Sequence, residues 1–363
     1  VTDRFARSAA WLGQMLDPDS GRVPNYGSND GANILPLACC DYLDYRPTVQ
    51  AASILTDNRP CLPAGPWDEK TLWLFGPKPL ESPIVPIVRK SEFAAPDGGY
   101  YILRGPNSWA MTRCHTYKDR PSQADMLHVD LWFKGVNVLR DAGSYMYYCP
   151  EPWKHYFHST AAHNTIEIDG LDQMTKGPRF LWFHWTTSDV VRFESQGDQG
   201  GLLEIRHHGY RSLPGPVDHK RTIRRIGDVY SIEDTLTSRS PQMHQAIMRW
   251  RLCQADWRQD AEDKSWQGSL AGGKFSIRIA CSDDFTSRLT PGSDDGSVEG
   301  WESLYYGRKT QVPTLLSTVQ FKQESRFITL LGPTDQIEDE MLNTEDMLSL
   351  TQCSKQSGPE TAL

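Results

Sequence analysis

The stretch QADMLHVDLWFKGVNVLRDAGSYMYY, residues 123–148, decides the fold. From Met126 to Phe133, Leu127, Val129, Leu131 and Phe133 alternate with Met126, His128, Asp130 and Trp132. A period of two is that of a β-strand, with one face in a core and an outward face that carries His and Asp. Lys134-Gly135 fits a two-residue hairpin turn. If Phe133 pairs with Val136, counting along the ladder sets His128 opposite Asp141 on one face. A His–Asp pair there can bind a metal, act as an oriented acid/base pair, or be a structural hydrogen bond.

The pattern extends outward. Beyond Gly98, short alternating runs bounded by Gly, Pro, Asp and Asn follow one another: YYILR, SWAMTRC, NTIEID, RFLWFHW, GLLEIRHH, KRTIRRI, VYSIEDTL, QAIMRWRL, KFSIRIAC, LSTVQFK and FITLLG. So many strands at close spacing, with almost no helical period among them, predict a mainly β chain built as a large antiparallel β-sandwich. Residues 1–84 read differently. In RFARSAAWLGQML, Phe5, Ala9, Leu12 and Leu16 recur at helical spacing. A second helical stretch runs from Ala32 to Asn58, broken at Pro36 and Pro47. The proline-rich residues 59–88 have linker composition. The expected organisation is a helical segment and linker over 1–84 and a sandwich over 85–363, with a polar tail from about 351 that reads as disordered.

The chain has 363 residues, with 38 basic against 46 acidic side chains and a formal charge of −8. That balance argues against a general nucleic-acid binder, and leaves a polyanionic ligand only a local cationic groove. Arg104, Arg113, Lys118, Arg120 and Lys154 are candidates for it, because arginine grips carboxylates in bidentate fashion. The 38 aromatic residues suit both a β core and stacking on sugars. Eight cysteines show neither CxxC pairs nor the density of a disulfide scaffold, so the redox compartment stays open. No apolar run reaches membrane-spanning length. The first residue is Val rather than Met, which reads as a cut end. No phosphate loop, GxSxG elbow or HExxH helix occurs. His163 and Asn164 stand where a strand begins, a place from which a rigid sheet can aim a ring.

RPSQADMLHVDLWFKGVNVLRDAGSYMY, WKHYFHSTAAHNTIEIDGLDQM, HKRTIRRIGDVYSIEDTL and VPNYGSNDGANILPL together resemble the heparinase II/III-like family of polysaccharide lyases. The resemblance implies the C-terminal sandwich, preceded by the end of an incomplete α/α toroid. It also implies β-elimination on an acidic, uronate-containing polysaccharide such as a glycosaminoglycan or exopolysaccharide. In that reaction one group neutralises the uronate carboxylate, a base removes the adjacent proton, and an acid, usually Tyr, protonates the leaving oxygen.

Carried onto this sequence, the family's structural zinc ligands fall on Gln123, Asp141 and His163. Gln123 stands where the family has His, and an amide oxygen is a weaker zinc ligand than imidazole. His128 can substitute if the hairpin register holds. The family's catalytic His falls on Pro121, which leaves His115 as the nearest upstream imidazole. Tyr156 matches a tyrosine position near the cleft, His158 stands where the family has Arg, and Arg113, Arg120 and Asn164 are expected at the substrate. Further catalytic groups, an Asn and a Tyr, belong to the toroid and make that region an expected partner. The expected compartment is periplasmic or extracellular, with the cytoplasm as the alternative. Two other functions compete with a lyase. One is a carbohydrate-binding or scaffolding sandwich without chemistry. The other is a glycoside hydrolase using Asp125 or Asp130 with Glu167.

Overall fold

The computed structural model describes residues 3–195, 200–261, 264–293 and 297–337. The polar tail expected from about 351 lies outside them. Among the described residues, no helix is long and apolar enough to cross a membrane, and the seven described cysteines are free.

Five strands form an antiparallel meander in chain order: β1 (Glu92–Ala95), β2 (Tyr100–Arg104), β3 (Ser108–Arg113), β4 (Val129–Phe133) and β5 (Val136–Leu139). A four-stranded sheet runs in the order 285–290, 314–321, 244–251 and β6 (Ile166–Ile168). An isolated bridge between Leu139 and Leu252 ties it to β5. An eight-stranded antiparallel sheet makes the opposite layer, in the order 257–259, 266–270, 273–281, 324–333, 229–238, 217–226, 201–207 and 188–195. One core fills the space between the layers. Val129, Leu131 and Phe133 of β4 meet Met248 and Trp250 of the four-stranded sheet and Ile223, Ile232 and Phe275 of the large one. The antiparallel sandwich expected from the alternating runs is therefore the fold.

Four local features depart from the sequence reading. The run RFLWFHW yields only a two-residue strand, Trp182–Phe183, because His184 takes a left-handed conformation at φ 54. Strands such as Ser188–Ser195 escape the alternation rule because they lie at an edge with both faces largely exposed. The helical stretch expected over 32–58 is helical only from Arg46 to Asp57, with Pro47 in its first turn, where a missing N–H costs nothing. Inside the expected linker, Asp68–Phe75 is a helix, with Asp68 and Glu69 in its first turn and Gly76 closing it at φ 74. The first helix, Asp3–Met15, agrees with its pattern at its C-terminal end, where Leu12 and Leu16 pack inward, while Phe5 stays exposed.

The other face of the meander is the one that positions the site. It is not outward. Trp109 and Trp132 stack at 5.5 Å and 5°, and Trp11, Met15, Val23 and Tyr26 from the N-terminal segment close over them. His128 and Asp130 on that face have no solvent exposure.

A buried polar chain fastens the large sheet to the site layer. The Gly209 N–H donates to His207 Nδ1 at 3.1 Å, so His207 Nε2 donates to His219 Nδ1 at 3.1 Å and His219 Nε2 to Asp234 at 2.6 Å. Arg221 clasps both Asp234 oxygens, at 2.7 and 2.9 Å. Its remaining arm reaches across the core to the carbonyls of Leu127 and Asn164. Burial holds His207 and His219 below the ordinary imidazole range, so both stay neutral in this chain of bonds.

Candidate functional site

Lys134 and Gly135 both have positive φ, 46 and 77, which makes the expected two-residue turn between β4 and β5. Phe133 pairs with Val136 as counted. One residue later the register slips: Leu131 faces Leu139, leaving Val138 as a bulge, and the ladder ends before His128. The strand expected from Met126 starts only at Val129, because Leu127 is left-handed at φ 63. His128 and Asp141 therefore are not a cross-strand pair. They meet beyond the strand ends, His128 Nδ1 to Asp141 Oδ2 at 3.6 Å.

His163 completes the cluster, its Nδ1 2.6 Å from the same Asp141 oxygen. The donor atoms of His128, Asp141 and His163 lie within 4.8 Å of one another, and all three side chains are fully buried. Burial pushes the Asp141 carboxyl up, but attraction and a hydrogen bond from His163 outweigh it and hold the group below its ordinary value. The same pairing raises His163 against its own burial. Two imidazoles and a carboxylate shielded from water are a donor set that suits a divalent cation. His128 Nδ1 already accepts the Asn164 N–H at 3.0 Å, so its ring would have to give up that bond to serve as a ligand.

Gln123 lies beside this cluster. Its amide nitrogen is 3.4 Å from the carbonyls of both Gly143 and Phe157, and its Oε1 is buried with no hydrogen-bond partner among the described residues. Gly143 in turn donates its N–H to Asp141 at 2.7 Å. Asn164, expected at the substrate, is instead an internal brace. It donates to the carbonyls of Val129 at 2.8 Å and Arg140 at 3.2 Å and accepts the Arg251 N–H at 2.7 Å. Tyr156 is also interior, with its hydroxyl on Arg251 and burial pushing its pKa up to about 12. Its position in HYFHST gave no signal of the short helix, Trp153–Tyr156, that turns it inward.

The residues that do gather at the edge of this layer are Arg113, His115 and three tyrosines. The Arg113 guanidinium sits 4.7 Å from the ring of Tyr100, 5.7 Å from Tyr26 and 6.0 Å from Tyr117. His115 meets Tyr117 edge-on at 5.4 Å. Burial, then the charge of Arg113, holds His115 below its ordinary range, so it is a neutral base at pH 7. Tyr117 is 2.7 Å from Asp125, whose pKa burial pushes up to about 7. Tyr26 was not singled out in the sequence, although it stands in the VPNYGSNDG block. Its hydroxyl is buried without a partner among the described residues, its ring is 5.8 Å from His128, and it lines a cleft of about 270 Å³ with Trp132, Asn137 and Arg140.

Other expected groups lie apart. Arg120 rests over Phe180 at 5.3 Å, and Lys118 and Lys154 are exposed. Arg104 is at the far end of the β2–β3 ladder from Arg113. The carboxylates of the hydrolase alternative do not share a cleft. Asp125 and Asp130 are buried, Asp130 bonding Trp132 and Asn137 at 2.6 and 2.7 Å, while Glu167 pairs with Arg249 at 3.2 Å.

His158 offers a test of the electrostatics here. Burial, then Lys176 and His163, lower its pKa to about 4 from the ordinary 6.5. A depressed histidine contributes stability that is complete above 6.5 and is lost as pH falls toward 4, because the unfolded chain then takes up a proton that the folded one refuses. His158→Gln removes that loss. The variant is expected to gain on the parent by on the order of 3 kcal/mol between pH 7 and pH 4. Urea melts of the two proteins across that range read it directly, and a stability difference that does not change with pH contradicts the assignment.

Among solved structures, the chain resembles a heparinase III with a TM-score of 0.67 at 13% identity, covering 92% of this chain and 48% of that one. The heparan sulfate lyase HepC from Pedobacter heparinus gives 0.62 at 15% identity, with 88% and 45% covered. Another heparinase III gives 0.62 at 13%, with 91% and 46% covered. At these identities the likeness is one of fold, and this chain spans about half the length of those proteins. No protein of curated function matches it in sequence. Residues 88–331, more than half of the chain, match the family described as heparinase II/III-like, C-terminal, and the chain belongs to that family.

Proposed function

We propose that this chain is the sandwich part of a polysaccharide lyase that cleaves an acidic, uronate-containing chain of the glycosaminoglycan type by β-elimination. The family and the lyase folds it resembles support the reaction class. The observation that carries the finer reading is the gathering of Arg113, the neutral base His115 and the unpartnered hydroxyl of Tyr26 at one edge of the meander.

Each group has a separate task. Arg113 pairs with the uronate carboxylate, which spreads the negative charge that builds up when the neighbouring C–H loses its proton. His115 takes that proton. Tyr26 donates its own to the departing glycosidic oxygen, and the carbon–oxygen bond breaks as the ring double bond forms. His128, Asp141 and His163 would hold a divalent cation whose role is structural, bracing the strand ends behind the site. The protein is expected to act outside the cytoplasm, where such polysaccharides occur.

The test is the absorbance of an unsaturated uronate on incubation with a panel of acidic polysaccharides. Arg113→Gln is expected to lower kcat/KM by about a hundredfold and to weaken retention of uronate oligosaccharides, a binding readout that does not depend on turnover. Cleavage that yields no chromophore would replace elimination by hydrolysis. Undiminished binding and rate in Arg113→Gln would remove that residue from the site.

A further inference from the structure

A second cleft, of about 600 Å³, opens at the other end of the meander. That volume is typical of a small-ligand site. Its walls come from stretches far apart in sequence: Asp17–Asp19, Arg89, the β2–β3 turn from Arg104 to Trp109, Lys134 and Arg225. The β3 strand separates it from Arg113 and His115, so it is not the site described above.

Three arginines in it each keep one unpartnered donor, although Arg225 also donates to the Gly227 carbonyl at 3.2 Å. The Nε atoms of Arg89, Arg104 and Arg225 are each buried with no hydrogen-bond partner among the described residues, and Arg225 is only 3% exposed. A buried donor without an acceptor costs free energy, more so on a charged group. The acids nearby do not settle this. Asp17 spends its oxygens on the Ser20 N–H and hydroxyl, at 2.8 and 2.6 Å, and on the Trp109 indole at 3.2 Å. Asp19 is exposed. Glu92 comes no closer than 3.5 Å to Arg225. Burial and then repulsion from Arg89 bring the Arg104 pKa down to about 10, and both outrank the attraction of Asp17. Arg104 is held in place by the Gln14 carbonyl and by the face of Trp109 at 4.8 Å. Such an array of guanidinium groups, of which Arg89 and Arg104 repel one another, is stabilised by an oxyanion that accepts from several of them at once.

We propose that this cleft binds an oxyanion of the sulfate or phosphate class, carried as an ester on an acidic saccharide. The saccharide source rests on the function proposed above; the anion site does not. A compact tetrahedral anion accepts from Arg89, Arg104 and Arg225 together, and the remaining volume leaves room for the sugar that bears it.

Thermal melting with sodium sulfate, against sodium chloride at equal ionic strength, tests the anion site without any turnover. Sulfate is expected to raise the Tm of the parent saturably. Arg89→Gln is expected to need about tenfold more sulfate for half the effect. Arg89 has no ion pair within 4 Å among the described residues, so this variant should fold normally. Lys134→Gln, on the exposed turn, is a second variant, expected to lose a smaller part. An equal response to chloride, or an unchanged sulfate response in Arg89→Gln, overturns the site. A sulfated uronate disaccharide acting at lower concentration than inorganic sulfate supports the saccharide source, whereas its acting no better than an unsulfated one refutes that source. Loss of the lyase reading would leave the sulfate result intact, so the two failures are distinguishable.

Discussion

Asp234→Ala is expected to lower the free energy of unfolding by about 3–5 kcal/mol, the cost of leaving a buried charge uncompensated. Arg221 and Asp234 have no solvent exposure, and the carboxylate takes two bonds from Arg221 and one from His219. Removing it strands a guanidinium and an imidazole N–H in the core at once. The double variant Arg221→Met/Asp234→Leu should cost less than the single one, because it removes the charges together and fills their volume. The damage in Asp234→Ala should also reach the site layer, since Arg221 holds the carbonyls of Leu127 and Asn164, the residues flanking His128 and His163. Denaturant melts of the three proteins measure the effect. A loss under about 1 kcal/mol in Asp234→Ala would show that the pair is not the clamp between layers described here.

The second large effect is expected at Asp141. Its two oxygens serve the Gly143 N–H at 2.7 Å and the His163 ring at 2.6 Å, with His128 at 3.6 Å. Asp141→Ala therefore leaves a buried N–H and the buried His163 ring without their acceptor, for an expected loss of about 3 kcal/mol. If zinc is held there, elemental analysis should find it in the parent and not in the variant. Zinc retained at parental stoichiometry in Asp141→Ala would refute the assignment. Gln123→His supplies the companion measurement, because it places an imidazole where an unpartnered amide oxygen now lies. It should tighten zinc binding, and a hundredfold excess of metal over Kd adds about 2.7 kcal/mol to the native state. No change in melting with zinc would mean that His128 already serves, in which case His128→Ala should lower the metal content instead.

What the sequence determined by itself is the local geometry and the neighbourhood. Alternation along residues 129–133 and the Lys134-Gly135 turn follow from φ and ψ preferences and side-chain period, which need no partner. The blocks holding Asp141 and His163 likewise announced their family and one shared site. The tertiary structure decided which face was inside. His128 and Asp130 read as outward because alternation reports only that two faces differ, and residues 11–26, a hundred positions away, cover the second one. It also decided the register, since the bulge at Val138 shifts the ladder by one residue and counting cannot see a bulge. Tyr156 and Asn164 turned from surface groups into internal braces because their hydrogen-bond partners arrive from elsewhere in the chain, Arg251 from the strand 244–251 and Arg140 from just beyond β5. Arg89, Arg104 and Arg225 were single charges in the sequence, and only the packing of three separate segments makes them one cleft. Contacts between residues distant along the chain are set by the mutual burial of whole layers, and no local pattern encodes which layer will lie against which.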